Sequence, residues 1–382
     1  MTFPGDKMKK IIYITLIDLG EKSSGVAKKI ISQCGSMLEL GYDVDVAYLK
    51  EEEVIIKNVT SDCFDCYPLN KWNKLFFFAT VMRIIKSKGG GYDYAYIRLP
   101  YPSLKVISFP VVYLMKENYS GNLVLEIPTY PFLNESKGIK SKLYNLYLSL
   151  TSLLLSKKID AISYMGPKRE SIWRVKAIRV FNSVPLANVP VKSREAHSGV
   201  NFIGVAQLAY WHGYDRLIEG VAVYNKSAKI PVSFHIVGNS LSSKDDEFLR
   251  LQAIAEKNGV SDHIVFHGAM HGEQLDMLYN KMDIAVDSLG RHRSGNDYNC
   301  SIKSKEYCAR GIPFIKSHYD DSFNGTDYYF QCESADGPVD VSAVIEWFKA
   351  ADFSEFELRE YAEKTFNWKT QFLKIFPSRI CS

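Results

Sequence analysis

Apolar residues along this chain fall into short runs that alternate with longer stretches in which they recur every three or four positions. The short runs predict buried strands and the longer stretches amphipathic helices, and their alternation predicts parallel sheets covered by helices on both faces. Strands are expected at Ile11–Ile17, Val44–Leu49, Tyr94–Leu99, Leu123–Ile127, Ala161–Tyr164 and Ile178–Phe181, with helical patterns between most of them. From Ser183 to Ser198 (SVPLANVPVKSREAHS) prolines, small residues and charges follow no period, which reads as a linker. The pattern restarts with strands at Val200–Val205, Val232–Val237, His263–Phe266, Ile284–Asp287 and Ile312–Ile315, alternating with helices such as Tyr214–Tyr224 and Leu275–Lys281. The expected fold is α/β, with two Rossmann-like domains at 1–185 and 199–365, a linker at 186–198 and a closing segment at 366–382.

Length agrees with that division, because 382 residues exceed what one hydrophobic core usually organises. Met1 to Lys10 (MTFPGDKMKK) lacks the pattern of a signal peptide, and no apolar run approaches the roughly 20 residues that cross a bilayer. The cytoplasm is the expected compartment. Seven cysteines show no paired spacing, and Cys63 and Cys66 lack a second pair or nearby histidines, so reduced thiols are expected. Charge is uneven: net +9 over residues 1–190 and −5 over 191–382. Two stretches of the first half mix basic and apolar residues, Trp72–Lys88 and Ile139–Lys158. Such helices either lie on an anionic membrane face or pack an apolar side on a sheet. The basic residues form no nucleic-acid-binding module.

Ligands of open parallel sheets sit beyond the carboxyl ends of the strands, which directs attention to three loops. Gly20-Glu-Lys-Ser-Ser-Gly25-Val follows the first strand and opens a helix. Ser23 or Ser24 can cap that helix while Gly25 lets an anion approach its positive end, although a capping turn without ligand explains the same residues. Val205 to Arg216 (VAQLAYWHGYDR) occupies the same place in the second half, with Asp215 and Arg216 readable as an ion pair. Ser301-Ile-Lys303-Ser-Lys-Glu306-Tyr starts a helix whose free amides, with Lys303, suit a diphosphate. One turn on, Glu306 can accept hydrogen bonds from ribose hydroxyls, and Gly311 and Pro313 end the helix.

Taken in order, Ser24-Gly25-Val, Tyr92–Arg98, Leu125–Pro131, Trp211–Arg216, His235–Gly238 and Lys303–Tyr307 with Gly311-Ile-Pro313 make the chain resemble retaining nucleotide-sugar glycosyltransferases of the B-type fold, close to family four. The resemblance covers nearly the whole length. It implies two Rossmann-like domains facing each other across a cleft, with the segment near Asn367–Phe372 returning to the first. Glu306 matches the second glutamate of the family's paired motif and Gly25 the glycine facing the donor phosphates. The earlier glutamate is replaced by Tyr298, flanked by Asp297 and Asn299. Gln207 and His212 stand where an arginine and a lysine are usual, shifting diphosphate neutralisation toward Lys303, Arg291 or Arg293.

The resemblance implies a donor site of Gly25, Gln207, His212, Arg216, Gly238, Arg291, Ser301, Ile302, Lys303 and Glu306. Arg98, Glu126 and Tyr130 lie at strand ends of the acceptor domain. Glu126, with Arg98, is the candidate catalytic group there, and Tyr130 with Glu126 the candidate acceptor contact. A buried-strand carboxylate either binds a substrate hydroxyl or is satisfied by its neighbour, here Arg98. The implied co-substrate is a UDP- or GDP-linked sugar with no further cofactor and no metal, since His267 and His271 suit a loop better than a metal site. The implied acceptor is a saccharide or lipid-linked saccharide at the inner membrane face, in surface polysaccharide assembly. A nucleotide-sugar epimerase and a non-catalytic sugar-nucleotide-binding protein remain as alternatives.

Overall fold

The structure is a computed structural model and describes residues 8–21, 24–69, 73–132, 138–193, 195–227, 230–240, 246–295 and 297–376. The chain divides into two compact units, one of Met1–Phe181 with Trp368–Ser382 and one of Asn182–Asn367.

The first unit runs β1 (Lys10–Thr15), α1 (Gly25–Glu39), β2 (Asp43–Lys50), β3 (Glu53–Asn58), β4 (Phe64–Pro68), α2 (Phe77–Ser87), β5 (Tyr92–Arg98), α3 (Val111–Leu114), β6 (Ser120–Ile127), α4 (Ile139–Leu154), β7 (Ala161–Tyr164), β8 (Ser171–Ile172) and β9 (Val175–Arg179). Its sheet has the order β4-β3-β2-β1-β5-β6-β7-β9-β8, parallel from β2 to β9 and antiparallel at both edges. The central strands are apolar at successive positions because both faces are covered. Ile12, Ile14, Ile97 and Leu125 pack against Phe77, Phe78 and Val81 of α2. Ile11, Tyr13 and Tyr96 meet Ile30, Cys34 and Met37 of α1 on the other face. The antiparallel edge strands β3, β4 and β8 are additions to the sequence-based reading.

The second unit runs β10 (Val200–Val205), α5 (Tyr214–Asn225), β11 (Val232–Val237), α6 (Glu247–Lys257), β12 (Ile264–Gly268), α7 (Glu273–Tyr279), β13 (Ile284–Val286), α8 (Ile302–Ala309), β14 (Phe314–Lys316), β15 (Tyr329–Gln331), α9 (Val341–Ala350) and α10 (Glu355–Thr365). All its strand pairs are parallel, in the order β12-β11-β10-β13-β14-β15. The chain then returns to the first unit as α11 (Trp368–Phe372). Residues of the expected 186–198 linker belong to the second unit. Arg359 of α10 donates to the carbonyls of Leu186 (3.0 Å) and Val189 (2.6 Å), and Lys192 N donates to Arg310 O (2.9 Å). Those bonds satisfy a backbone that has no sheet to join.

Candidate functional site

In a doubly wound sheet the loops that follow two adjacent strands at the point where the strand order reverses run in opposite directions and open a crevice at the strands' carboxyl ends. The second unit has this switch point between β10 and β13, where residues 206–213 and 287–295 emerge. Leu289 N donates to His212 O at 2.7 Å, tying the loops together. Gly213 has φ 66°, and a Cβ there would stand 2.5 Å from Gly290 N, so this approach requires glycine.

Lys303, in the first turn of α8, reaches back over the loop after β13. Its Nζ lies 3.3 Å from Asp287 Oδ1 and donates to Ser288 Oγ at 3.2 Å. Asp287 is fully buried. Burial alone would raise its pKa, but the charges of Lys303 and His318 and hydrogen bonds from Ser301 and Ser288 N hold it far below the usual carboxylate range. Burial pulls the Lys303 ammonium down, and Asp287 resists that pull. His212 is driven well below its ordinary pKa, first by burial and then by the charge of Lys303. It is therefore neutral at pH 7. Its Nδ1 accepts from Ala209 N at 3.1 Å, which assigns the ring proton to Nε2 and makes that nitrogen a donor. The charge of Arg291 acts on both His212 and Lys303. Ser301 is the N-cap residue of α8 and Ile302 its first residue. His212, Arg291, Ser301, Ile302 and Lys303 thus converge beside Asp287, a cationic and donor-rich surface suited to an anion.

The other candidates have different surroundings. Gln207 is exposed at the end of β10. Gly238 has φ 132°, and a Cβ there would overlap Ala206 O at 1.7 Å, so it permits the β11 loop to pack on the β10 loop. Arg216 is withdrawn from any ligand: it is buried, and its guanidinium donates to the carbonyls of Gly337 (2.8 Å), Glu333 (3.0 Å) and Leu289. Arg293 is likewise engaged, through a bidentate pair to Asp215 at 2.9 Å for both contacts. Asp215 therefore pairs with Arg293 rather than with Arg216. Glu306 is partly exposed on α8, where its Oε1 takes both Arg310 Nε (3.0 Å) and Nη2 (2.9 Å). Tyr298 is buried and donates to Asp321 Oδ1 at 3.2 Å.

The first unit has its own switch point, between β1 and β5. A cavity of about 360 Å³ opens there, lined by Thr15, Ile17, Val26, Arg98, Thr129 and Asn145 among others. Gly25 begins α1 beside it, with Ser24 Oγ accepting from Ala27 N at 3.2 Å, and nothing lies within 4 Å of where a Gly25 Cβ would be. Ser23 lies outside the described residues.

Glu126 does not reach that cavity. It is wholly buried, and its oxygens accept from Tyr13 OH (2.8 Å), Arg98 Nη1 (3.0 Å) and Gln33 Nε2 (3.2 Å), with Lys29 Nζ at 3.8 Å. With both oxygens engaged inside the fold, it is a structural carboxylate and neither an acceptor contact nor a catalytic group. Arg98 is held by that carboxylate while lining the cavity. Tyr130 packs edge-on against Tyr164 at 5.9 Å, and the cavity wall beside it is formed by Thr129 and Phe132.

Sequence reasoning missed Asp287 as a site residue, along with Ser288 and His318. Asp287 stood at the end of an expected strand, which was signal enough to examine it. His318, whose ring Nε2 lies 3.8 Å from Asp287 Oδ2, follows β14 with no motif around it.

Residues 190–319 match the family described as glycosyl transferases group 1, a span that holds both switch-point loops and Lys303. The protein is a glycosyltransferase. Among curated protein sequences none matches the chain. Among solved structures, a glycosyltransferase from Rickettsia africae is similar at 11% identity and TM-score 0.66, covering 97% of each chain. HepE of Anabaena in complex with UDP is similar at 11% identity and TM-score 0.61, covering 96% of this glycosyltransferase and 98% of HepE. The lipopolysaccharide outer core galactosyltransferase WaaB is similar at 13% identity and TM-score 0.60, covering 96% and 99%. These identities speak for the fold, two Rossmann-like units of the B-type glycosyltransferase architecture. Among the described residues no helix is long and apolar enough to cross a membrane.

Proposed function

We propose that this enzyme is a retaining glycosyltransferase resembling family four. In this reading it moves a sugar from a UDP- or GDP-linked donor, without a further cofactor, to a saccharide or lipid-linked saccharide during surface polysaccharide assembly on the cytoplasmic side of the membrane. The observation that carries the donor assignment is Lys303, held by Asp287 at the start of α8 beside the Nε2–H donor of His212. A leaving diphosphate gains negative charge as the C1–O bond breaks, and a preorganised cation with amide donors favours that state over the ground state. The phosphate oxygen released at C1 then takes the proton of the attacking acceptor hydroxyl, so no protein carboxylate is needed as a base. Glu306 holds the ribose and Arg310 orients it; Gln207, Gly238 and Arg291 flank the donor. The cavity of the first unit takes the acceptor, with Arg98 donating to a hydroxyl and Tyr130 fixing the wall. UDP bound to HepE supports the donor class, and the activity of WaaB supports the polysaccharide setting.

The test is a thermal shift against UDP, GDP, ADP, TDP and CMP. One nucleoside diphosphate is expected to stabilise the protein, by about 2.7 kcal/mol at a hundredfold excess over Kd. Lys303→Gln and Glu306→Ala are each expected to weaken that binding by roughly 30- to 150-fold. No shift with any nucleotide would overturn the donor assignment. Incubation with the matching nucleotide sugar alone separates the epimerase alternative, which alters free donor, from a transferase, which awaits an acceptor.

A further inference from the structure

Helix α4 is built inside out. Its buried positions are Asn145, Leu148 and Ser152, two of the three polar, with Ser152 Oγ hydrogen-bonded to Tyr113 OH at 2.9 Å. Its exposed positions carry the leucines. Ile139, Leu143, Leu146, Leu150, Leu153 and Leu154 are between 36% and 80% exposed. At 100° per residue these six fall within an arc of about 100°, one continuous stripe opposite the buried face. A helix whose apolar side served its own core would show the reverse.

The stripe has company. Tyr147 OH donates to Ile107 O at 2.9 Å, bringing α4 against residues 104–108, where Leu104 and Ile107 are also about half exposed. The charged residues of the helix itself are all basic. Lys140 and Lys142 are exposed, and on the helical wheel they fall on opposite flanks of the stripe; exposed Lys157 follows its end, Lys158 after it pairs with Glu117, and residues 139–158 contain no Asp or Glu. The inward face of the same helix supplies Asn145 to the cavity wall, and exposed Tyr101 lines that cavity too.

We infer that α4 and residues 104–107 form a docking surface for an anionic lipid bilayer, on which α4 lies in the interface plane beside the mouth of the acceptor cavity. The leucine stripe enters the acyl boundary and the flanking lysines meet acidic headgroups. The helix lies on the membrane without spanning it, its 16 residues being too few to cross. Charge complementarity selects this occupant: a second copy would set lysines against lysines, whereas anionic lipid matches both the stripe and its flanks. The cavity's role rests on the proposed acceptor reading; the docking surface does not.

The experiment is co-sedimentation of the full-length protein, without donor or acceptor, with phosphatidylcholine vesicles lacking or containing phosphatidylglycerol. The wild type is expected to pellet with the phosphatidylglycerol vesicles. Leu146→Glu with Leu150→Glu, both on the solvent face, should weaken binding about tenfold or more while leaving the thermal midpoint in place. Lys140→Gln and Lys142→Gln should each weaken it about fivefold, an effect that salt erases in the wild type. A wild type that stays in the supernatant with both vesicles overturns the inference, as does unchanged binding by the leucine variant. A dimer in sedimentation velocity that the leucine variant dissolves would reassign the stripe to self-association. Nucleotide stabilisation is read separately, so failure here is distinguishable from failure of the transferase reading.

Discussion

At Glu126, one charge holds two. The buried carboxylate compensates Arg98 directly and Lys29 at 3.8 Å, with Tyr13 and Gln33 completing its hydrogen bonds. Replacing it by glutamine keeps the shape but leaves two buried cations against a neutral amide. Breaking a buried pair in this way costs about 3–5 kcal/mol. Glu126→Gln is therefore expected to lower the unfolding free energy of the first unit, read by urea denaturation, by an amount in that range while nucleotide binding by the second unit survives. A loss of activity with unchanged stability would restore a catalytic role to this residue. The acid limb should change as well. Burial raises the Glu126 pKa, but Arg98, Lys29 and the two hydrogen bonds outweigh it and the net shift is downward. Its stabilising contribution is thus present above the unfolded carboxylate value and lost as pH falls through the folded one, a loss the glutamine variant cannot show. Sequence placed Glu126 at a strand end opposite Arg98 and left two readings open. The residues that decide between them, Tyr13 and Gln33, lie 113 and 93 positions away. No local spacing reports them.

Among the elements, period revealed stripes but not the direction they face. The helical pattern of α4 was visible from its leucines, yet only packing shows Asn145 and Ser152 turned inward and the leucines outward. The β3–β4 hairpin escaped for a different reason: its short antiparallel edge strands follow β2 directly, where an alternating strand–helix pattern leaves no place for them. The parallel pair β11–β12 also hides a cross-strand contact. His235 Nδ1 and His267 Nε2 are 2.9 Å apart with rings stacked at 16°, so one ring donates and the other accepts. Burial, then the neighbouring His267 and His197, lowers His235 to about 4, and burial also lowers His267. Unfolded histidine, near 6.5, binds its proton first as pH falls, so folding loses stability between about pH 6.5 and 4. With the pair partly exposed, the loss should be roughly 1–2 kcal/mol. His267→Phe keeps an aromatic ring beside His235 and removes one titrating group and the shared proton. Urea midpoints across this pH range should fall less steeply in the variant than in wild type, and parallel slopes would reject the assignment.

For the whole molecule, the return of the chain matters more than the order of domains along it. Trp368, Phe372 and Phe376 belong to the first unit although some 180 residues of the second unit precede them. All three are buried, Phe376 against Tyr42 (5.6 Å), Tyr94 (5.1 Å) and Tyr96 (6.0 Å), and Phe372 against Tyr96 at 5.6 Å. They close the α1 face of the first sheet, filling space that α1 alone leaves over β1 and β5. Removing a buried phenylalanine costs about 3–5 kcal/mol, and a domain's whole stability is about 5–15 kcal/mol. A chain ending at Asn367 should therefore lose the cooperative unfolding of its first unit while residues 182–367 still melt in one transition. Calorimetry of the full chain, the truncated chain and the isolated 182–367 segment reads this directly. The truncated chain should retain only the transition seen in the isolated segment, and adding a 368–382 peptide should return part of the missing heat. Two intact transitions in the truncated chain would mean that the tyrosine layer over β1 and β5 is stable without its aromatic cover, and that the final residues serve something other than closure of this core.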